Sequence, residues 1–401
     1  MTRTGLDRLL AQAEDRLAGR RYGVLAHGAS ITAAGVPIHL ALAASPAGPP
    51  QALFGPEHGY YGVEQDMIAA EGGRDPWTGA PIVSLYGDSE QTLRPCPTAF
   101  QGLDLLLVDL QDVGSRYYTY AATGVWAAEA AMAAGCEVWV LNRPNPLGGA
   151  VIEGNLLQPG FESFVGAFRL PVRHGLTLGE LFRLEARRRS WAGSLAHFAV
   201  WYMEGWQRAM TWEETGLPWV APSPNMPTSA TALVYPGGCL VEATELSEGR
   251  GTTRPFQLTG APFVDPKRLA DDLNGLNGRG VPGAVFVPTY FRPQFQKHRG
   301  AVCGGVELLV TDRDAFRSYR TGVELLDAVH RLWPAEFAWR AAPYEFVSEI
   351  PAIDLLTGGP ECREAIERGT GLDDWLATWG PDERAFRAER REILLYPEEE
   401  P

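Results

Sequence analysis

One run of six residues constrains this chain most. Leu105-Leu106-Leu107-Val108-Asp109-Leu110 is apolar apart from a single carboxylate. It is too short for a buried helix and lacks the alternation of a half-exposed strand. Such a run suits a strand covered on both faces, as in a parallel sheet layered with helices. Shorter apolar runs at 22–25, 52–54, 82–85 and 138–141 fit the same sheet, and 198–202 is a further candidate. An alanine-rich stretch over 118–134, stopped by Gly135, reads as a helix between two of these strands. The alternation predicts an α/β fold with a mostly parallel sheet and helices on both faces.

At 401 residues the chain is long enough for two domains. Pro222-Ser223-Pro224-Asn225-Met226-Pro227 cannot be regular structure, because prolines at that density fix the backbone and remove donors. The boundary is therefore expected just beyond it, giving domains 1–230 and 231–401. In the second domain a strand is expected at 308–310, a helix at 323–332, and a frayed end at 397–401. The net charge of −14 repels phosphate backbones and anionic bilayers, so neither nucleic acid nor membrane is an expected partner. Lys267 and Lys297 are the only lysines, which makes arginine the default surface cation and weakens any single arginine as a hint of function. Five widely spaced cysteines without a C-x-x-C pair argue against a disulfide framework or a zinc site, and buried free thiols are expected. The amphipathic start, with Leu6, Leu9, Leu10 and Leu17 among charges, lacks the apolar core of a signal peptide. A cytoplasmic location is the corresponding expectation.

The unusual residues gather at strand ends. His27 follows the first run, Glu57 and His58 the second, Asp109, Gln111 and Asp112 the fourth, and Asn142, Arg143 and Asn145 the fifth. Parallel sheets bind ligands beyond the carboxyl ends of their strands, so these groups are expected to meet in one pocket. Gly55-Pro56-Glu57-His58-Gly59 holds two ionisable groups in a stiff turn, where partial desolvation suits a glutamate for general acid work. The same turn also suits a simple Glu–His pair. Asp109 inside an apolar run needs a partner, either Arg116 or a backbone amide. Tyr117, Tyr118 and Tyr120 offer flat faces with polar tips, fit for a sugar or for a core. Glu153 offers a second carboxylate. Thr177 and Glu180 form a capping box for a helix over 178–189, with His174 just before it as a ligand candidate. The loop from Glu245 to Thr253 contributes Glu248 and Arg250, in a pattern unlike a phosphate loop.

Taken in order, these motifs become specific. Pro-Glu-His-Gly, Ser84-Leu85-Tyr86-Gly87, the block from Asp109 to Tyr120, and Asn-Arg-Pro-Asn-Pro are followed by three more. These are Arg-His-Gly-Leu-Thr, Pro-Ser-Pro-Asn-Met-Pro and Ser-Glu-Gly-Arg-Gly-Thr-Thr. The series resembles the exo-β-N-acetylmuramidase family of glycoside hydrolases from about residue 20 to Tyr396. The resemblance implies a Rossmann-like N-terminal domain, a smaller C-terminal α/β domain and an active cleft between them. It implies release of N-acetylmuramic acid from the non-reducing end of peptidoglycan-derived saccharides of MurNAc-GlcNAc type, with no metal and no cofactor. Glu57 becomes the leading catalytic candidate, with His58 to orient it and Glu153, Glu248 or Asp112 as its partner. Asp109, Arg116, Tyr118, Asn142, Arg143, His174, Asn225 and Arg250 join Asp112 and Glu248 as substrate-binding candidates. Arg116, Arg143 and Arg250 are the guanidinium forks that could take the lactyl carboxylate. Relatives often carry Asn where this chain has His27. Two other readings use the same residues: a sugar-binding protein without catalysis, and a metal-assisted hydrolase built on His58, Asp109 and Asp112.

Overall fold

The computed structural model describes residues 1–65, 67–189, 191, 198–276 and 280–398. Seven strands form its main sheet: β1 (Tyr22–Ala26), β2 (Ala52–Gly55), β3 (Gly73–Arg74), β4 (Pro81–Ser84), β5 (Leu105–Asp109), β6 (Glu137–Leu141) and β7 (Phe198–Trp201). Their order is β3-β4-β2-β1-β5-β6-β7, all parallel except β3, which pairs antiparallel with β4. The six parallel strands thus follow the 3-2-1-4-5-6 order of dinucleotide-binding folds, with the direction of winding reversing between β1 and β5. The fold class is therefore the α/β, Rossmann-like one expected.

The central strands explain the apolar run. Every residue of β1 and β5 is buried. The Tyr120–Ala133 helix is buried on nearly all sides, as its unbroken alanine-rich sequence requires. The Leu178–Arg188 helix begins with the expected capping box, Thr177 accepting from the Glu180 amide at 3.3 Å while Glu180 accepts from the Thr177 amide at 3.0 Å. The N-terminal stretch forms two short helices, Gly5–Leu10 and Ala13–Leu17, whose Leu6, Leu9 and Leu17 are buried.

A smaller antiparallel sheet follows, from β8 (Leu258–Ala261), β9 (Ala284–Phe291) and β10 (Cys303–Val310) in the order β8-β10-β9. The Ser318–Leu332 helix accompanies it. Helices Ala352–Thr357, Glu361–Arg368 and Leu372–Arg390 end the chain. The C-terminal tail is anchored as far as Glu398, against the fraying expected there. The buried Tyr396 hydroxyl accepts from the Met203 amide at 2.8 Å and from Asn142 Nδ2 at 3.0 Å, and Glu398 pairs with the buried Arg390. Residues 399–401 lie outside the described residues. All five cysteines are free, and Cys96 is exposed where a buried thiol was expected. Among the described residues no helix is long and apolar enough to cross a membrane.

Candidate active site

Glu57 stands two residues past the end of β2. The chain turns back over Gly55, where any side chain would run into the Tyr60 amide. His58 (φ 69°) and Gly59 (φ 78°) both take left-handed backbone, strained for histidine and free for glycine. His58 is held there by Nδ1, 3.0 Å from the Glu64 carbonyl oxygen. A carbonyl only accepts, so Nδ1 carries a hydrogen, which in the neutral ring leaves Nε2 as the acceptor. Glu57 is 4 % exposed, and its Oε2 accepts from the Thr119 hydroxyl at 2.6 Å.

These groups open onto a cavity of about 490 Å³, counted with the space open to solvent at its mouth. One wall comes from the main sheet and its loops: Glu57, His58, Tyr117, Tyr118, Thr119 and Tyr120, with Ser223, Asn225 and Met226. The other comes from the C-terminal half: Tyr235, Glu242, Arg250, Phe256, Tyr344 and Glu345. The aromatic rings meet edge to face, Tyr118 on Tyr120 at 4.8 Å and Tyr235 on Phe256 at 4.9 Å, which fixes their faces without mobile side chains. Glu242 accepts from Arg250 Nη2 at 2.6 Å and from the Tyr344 hydroxyl at 2.7 Å. Glu345 (φ 46°) accepts from the Tyr86 hydroxyl at 3.2 Å. Asn225 Nδ2 donates to Gln65 Oε1 at 3.0 Å.

The strand ends do not all converge. Of the residues singled out in the sequence, Glu57, His58, Tyr117, Tyr118, Tyr120, Asn225 and Arg250 line the cavity. Glu248 stands behind Arg250, 3.5 Å from its Nε and 2.8 Å from Lys297 Nζ. Asp109 and Arg143 are buried against each other in a two-pronged pair at 2.6 and 2.7 Å, and Arg143 also donates to the Ile31 carbonyl. Arg116 spends its Nη donors on the carbonyls of Asn155, Leu170 and Leu356. Asn142 is consumed by Thr177, Gly179 and Tyr396. Glu153 is buried beside Arg173 and accepts from the Arg320 amide at 2.8 Å. His174 Nδ1 accepts from the Leu176 amide, and burial pushes its pKa down to about 3. Asp112 is buried 4.0 Å from His174, and burial raises its carboxyl to about 7 against the pull of two backbone amides. None of these eight lines the cavity. At the switch point between β1 and β5 stand the Asp109–Arg143 pair and His27, whose Nε2 accepts from the Gln111 amide at 2.9 Å, and only a smaller pocket opens there, beside Ile31, Gln111 and Arg143. The cavity is therefore displaced to the end of β2. Glu242, Tyr344 and Glu345 went unnoticed in the sequence, since they sit in stretches with no motif. Among the described residues no three metal-ligating side chains gather, so His58, Asp109 and Asp112 do not form a metal cluster.

Two family models match in tandem: exo-β-N-acetylmuramidase NamZ, N-terminal, over residues 22–230, and exo-β-N-acetylmuramidase NamZ, C-terminal, over residues 233–396. The chain belongs to this family. It is 40% identical over 393 residues to the peptidoglycan β-N-acetylmuramidase NamZ of Bacillus subtilis (strain 168), covering 98% of this chain and 91% of that protein. Two crystal structures of DUF1343 family proteins from Bacteroides fragilis NCTC 9343 share the fold. One matches with a TM-score of 0.84 at 31% identity over 99% of both chains, the other with 0.75 at 27% over the whole of both. The cavity draws on residues from both matched segments, 57 to 226 from the first and 235 to 345 from the second.

Proposed function

We propose that this chain is an exo-acting β-N-acetylmuramidase, which hydrolyses the β-glycosidic bond of a non-reducing-end N-acetylmuramic acid in peptidoglycan-derived saccharides. The reading is carried by Glu57, a buried carboxyl held by Thr119 and opening onto an aromatic-walled cavity, in a chain similar to a muramidase along nearly its whole length. Thr119 donates to Oε2, so the acid proton belongs on Oε1, from which it passes to the glycosidic oxygen. His58 lies next to it with Nε2 as an acceptor and orients the acid or the departing sugar. Glu242, which accepts from Arg250 and Tyr344 on the opposite wall of the cavity, is the second carboxyl for stabilising an oxocarbenium-like transition state. It takes the partner's place that the sequence left open among Glu153, Glu248 and Asp112.

The lactyl carboxylate of muramic acid calls for a cation. Arg250 is the one arginine among the described residues that lines the cavity, with Glu248 and Glu242 fixing its orientation. Tyr118 and Asn225 offer polar contacts to the sugar's hydroxyls. The test is Glu57→Gln assayed on a MurNAc-GlcNAc disaccharide, whose sugar leaving group departs only when protonated. Turnover should fall by at least about a hundredfold, the scale of a lost general acid, with an unchanged melting curve. Near-native turnover would remove Glu57 from the role. A wild-type chain that binds the glycoside but never releases product would instead mark a binding protein.

A further inference from the structure

Among the described residues three carboxyls line the cavity, and Glu345 is the one to which the proposed mechanism gives no task. Its backbone is strained. Tyr344 and Val347 exchange both backbone hydrogen bonds at 2.9 Å, which closes a two-residue turn with Glu345 and Phe346 at its tip. Both tip residues take left-handed backbone, at φ 46° and 68°. Asn-Gly is the usual occupant of such a tip, because larger side chains are disfavoured there. Strain of this kind persists only where the surroundings hold it, and it gathers at sites where a side chain has to be aimed.

The surroundings of this turn reach across both halves of the molecule. Phe346 packs on the Tyr86 ring at 6.0 Å, and Tyr86 packs on Phe164 at 5.7 Å. The Tyr86 hydroxyl donates to Glu345 Oε2 at 3.2 Å, a long contact for two oxygens. A carboxylate carries about four acceptor sites, so this bond does not exhaust it. One residue back, the Tyr344 hydroxyl donates to Glu242, which also accepts from Arg250. A single turn thus positions two carboxyls of one wall, Glu242 through Tyr344 and Glu345 at its own tip. Glu345 is 3 % exposed and borders the cavity.

We propose that Glu345 is a specificity-determining residue that binds the terminal muramic acid by accepting a hydrogen bond from the sugar ring's own substituents, the hydroxyl on C4 or the N–H of the 2-acetamido group. A carboxylate only accepts, so the group it meets is an O–H or an N–H. A cavity toward the small end of ligand sites suits one substituted sugar ring, so a carboxyl there that does not serve the bond meets the ring. Arg250, on the same wall, is the cation for the lactyl group on C3, and Tyr344 ties the turn to it through Glu242. The donors flanking C3 are the acetamido N–H on C2 and the hydroxyl on C4. The C4 hydroxyl is free only on a terminal sugar, so a bond to it would also enforce exo action.

This inference rests on the muramidase reading, and one experiment separates the two. Wild type, Glu345→Ala, Glu345→Gln and Tyr86→Phe are compared on a MurNAc-GlcNAc disaccharide, on its 4-deoxymuramic analogue, and on an analogue with 2-acetoxy in place of 2-acetamido. Glu345→Ala should raise KM for the disaccharide about tenfold or more, the scale of a lost hydrogen bond to a charged group, with kcat within threefold. Glu345→Gln, which keeps the side chain's length and one acceptor, should raise KM about threefold with the same dependence on the analogues. On the analogue that lacks the contacted donor, wild type should fall to the level of Glu345→Ala and the substitution should add no further loss. Tyr86→Phe, which removes only the bond across the two halves, should leave KM within threefold. Penalties that persist undiminished on both analogues would overturn the assignment, as would wild-type kinetics for both Glu345 variants. A loss in Tyr86→Phe equal to that in Glu345→Ala would also overturn it, by making the pair a brace. Wild type inactive on the disaccharide would overturn the muramidase reading itself.

Discussion

Arg143→Met separates a substrate-binding arginine from a structural one. In the structure Arg143 Nε and Nη2 hold Asp109 at 2.6 and 2.7 Å, and Nη2 also donates to the Ile31 carbonyl at 2.8 Å. Asp109 is fully buried and Arg143 is 5 % exposed. Methionine keeps the volume and removes the charge, leaving a carboxylate buried without its cation. Breaking a buried pair from one side costs about 3–5 kcal/mol. For a domain of roughly 200 residues that lowers the melting temperature by on the order of 10 °C. The loss carries a pH signature. Burial already raises the Asp109 carboxyl and Arg143 opposes that rise, so the variant's carboxyl is raised further. A raised carboxyl contributes stability below its unfolded pKa and loses it as pH climbs through the folded value. The deficit of Arg143→Met should therefore be larger at pH 8 than at pH 5, and adding Asp109→Asn should recover part of it. The assay is thermal melting followed by circular dichroism across that range, with kinetics on a chromogenic muramic-acid glycoside below the variant's transition. KM should stay within twofold. An unchanged melting curve together with a tenfold higher KM would refute the brace and return Arg143 to the substrate.

Two further outcomes follow from buried groups behind the cavity. Burial raises the Asp112 carboxyl to about 7, so it contributes stability below the usual carboxylate range that is lost as pH rises through 7. Asp112→Asn should remove that dependence and melt higher than wild type at pH 8 than at pH 5, and a difference independent of pH would contradict it. Tyr396→Phe strips the acceptor from the Met203 amide and Asn142 Nδ2, at a cost of about 1–3 kcal/mol for donors left unsatisfied. Urea denaturation should show that loss while kcat of the folded enzyme is unchanged.

The sequence by itself determined the layers. A strand buried on both faces must be apolar throughout, and a helix buried on all sides must be small and apolar, so β5 and the Tyr120–Ala133 helix were legible without any contact being known. The capping box at Thr177 was legible for the same reason, since it acts over three residues. The turn carrying Glu57 and His58 could be picked out because glycine and proline mark unusual backbone locally. What tertiary structure decided was which polar groups spend their bonds on one another. Asp109, Arg116, Asn142 and Arg143 carry the same residue types as cavity groups, and only the fold places their partners within reach. Glu242 and Glu345 gave no signal because their hydroxyl partners, Tyr344 for the first and Tyr86 for the second, come from distant parts of the chain. Local chemistry writes elements into a sequence. A cavity is long-range geometry, and it exists only once the chain has closed on itself.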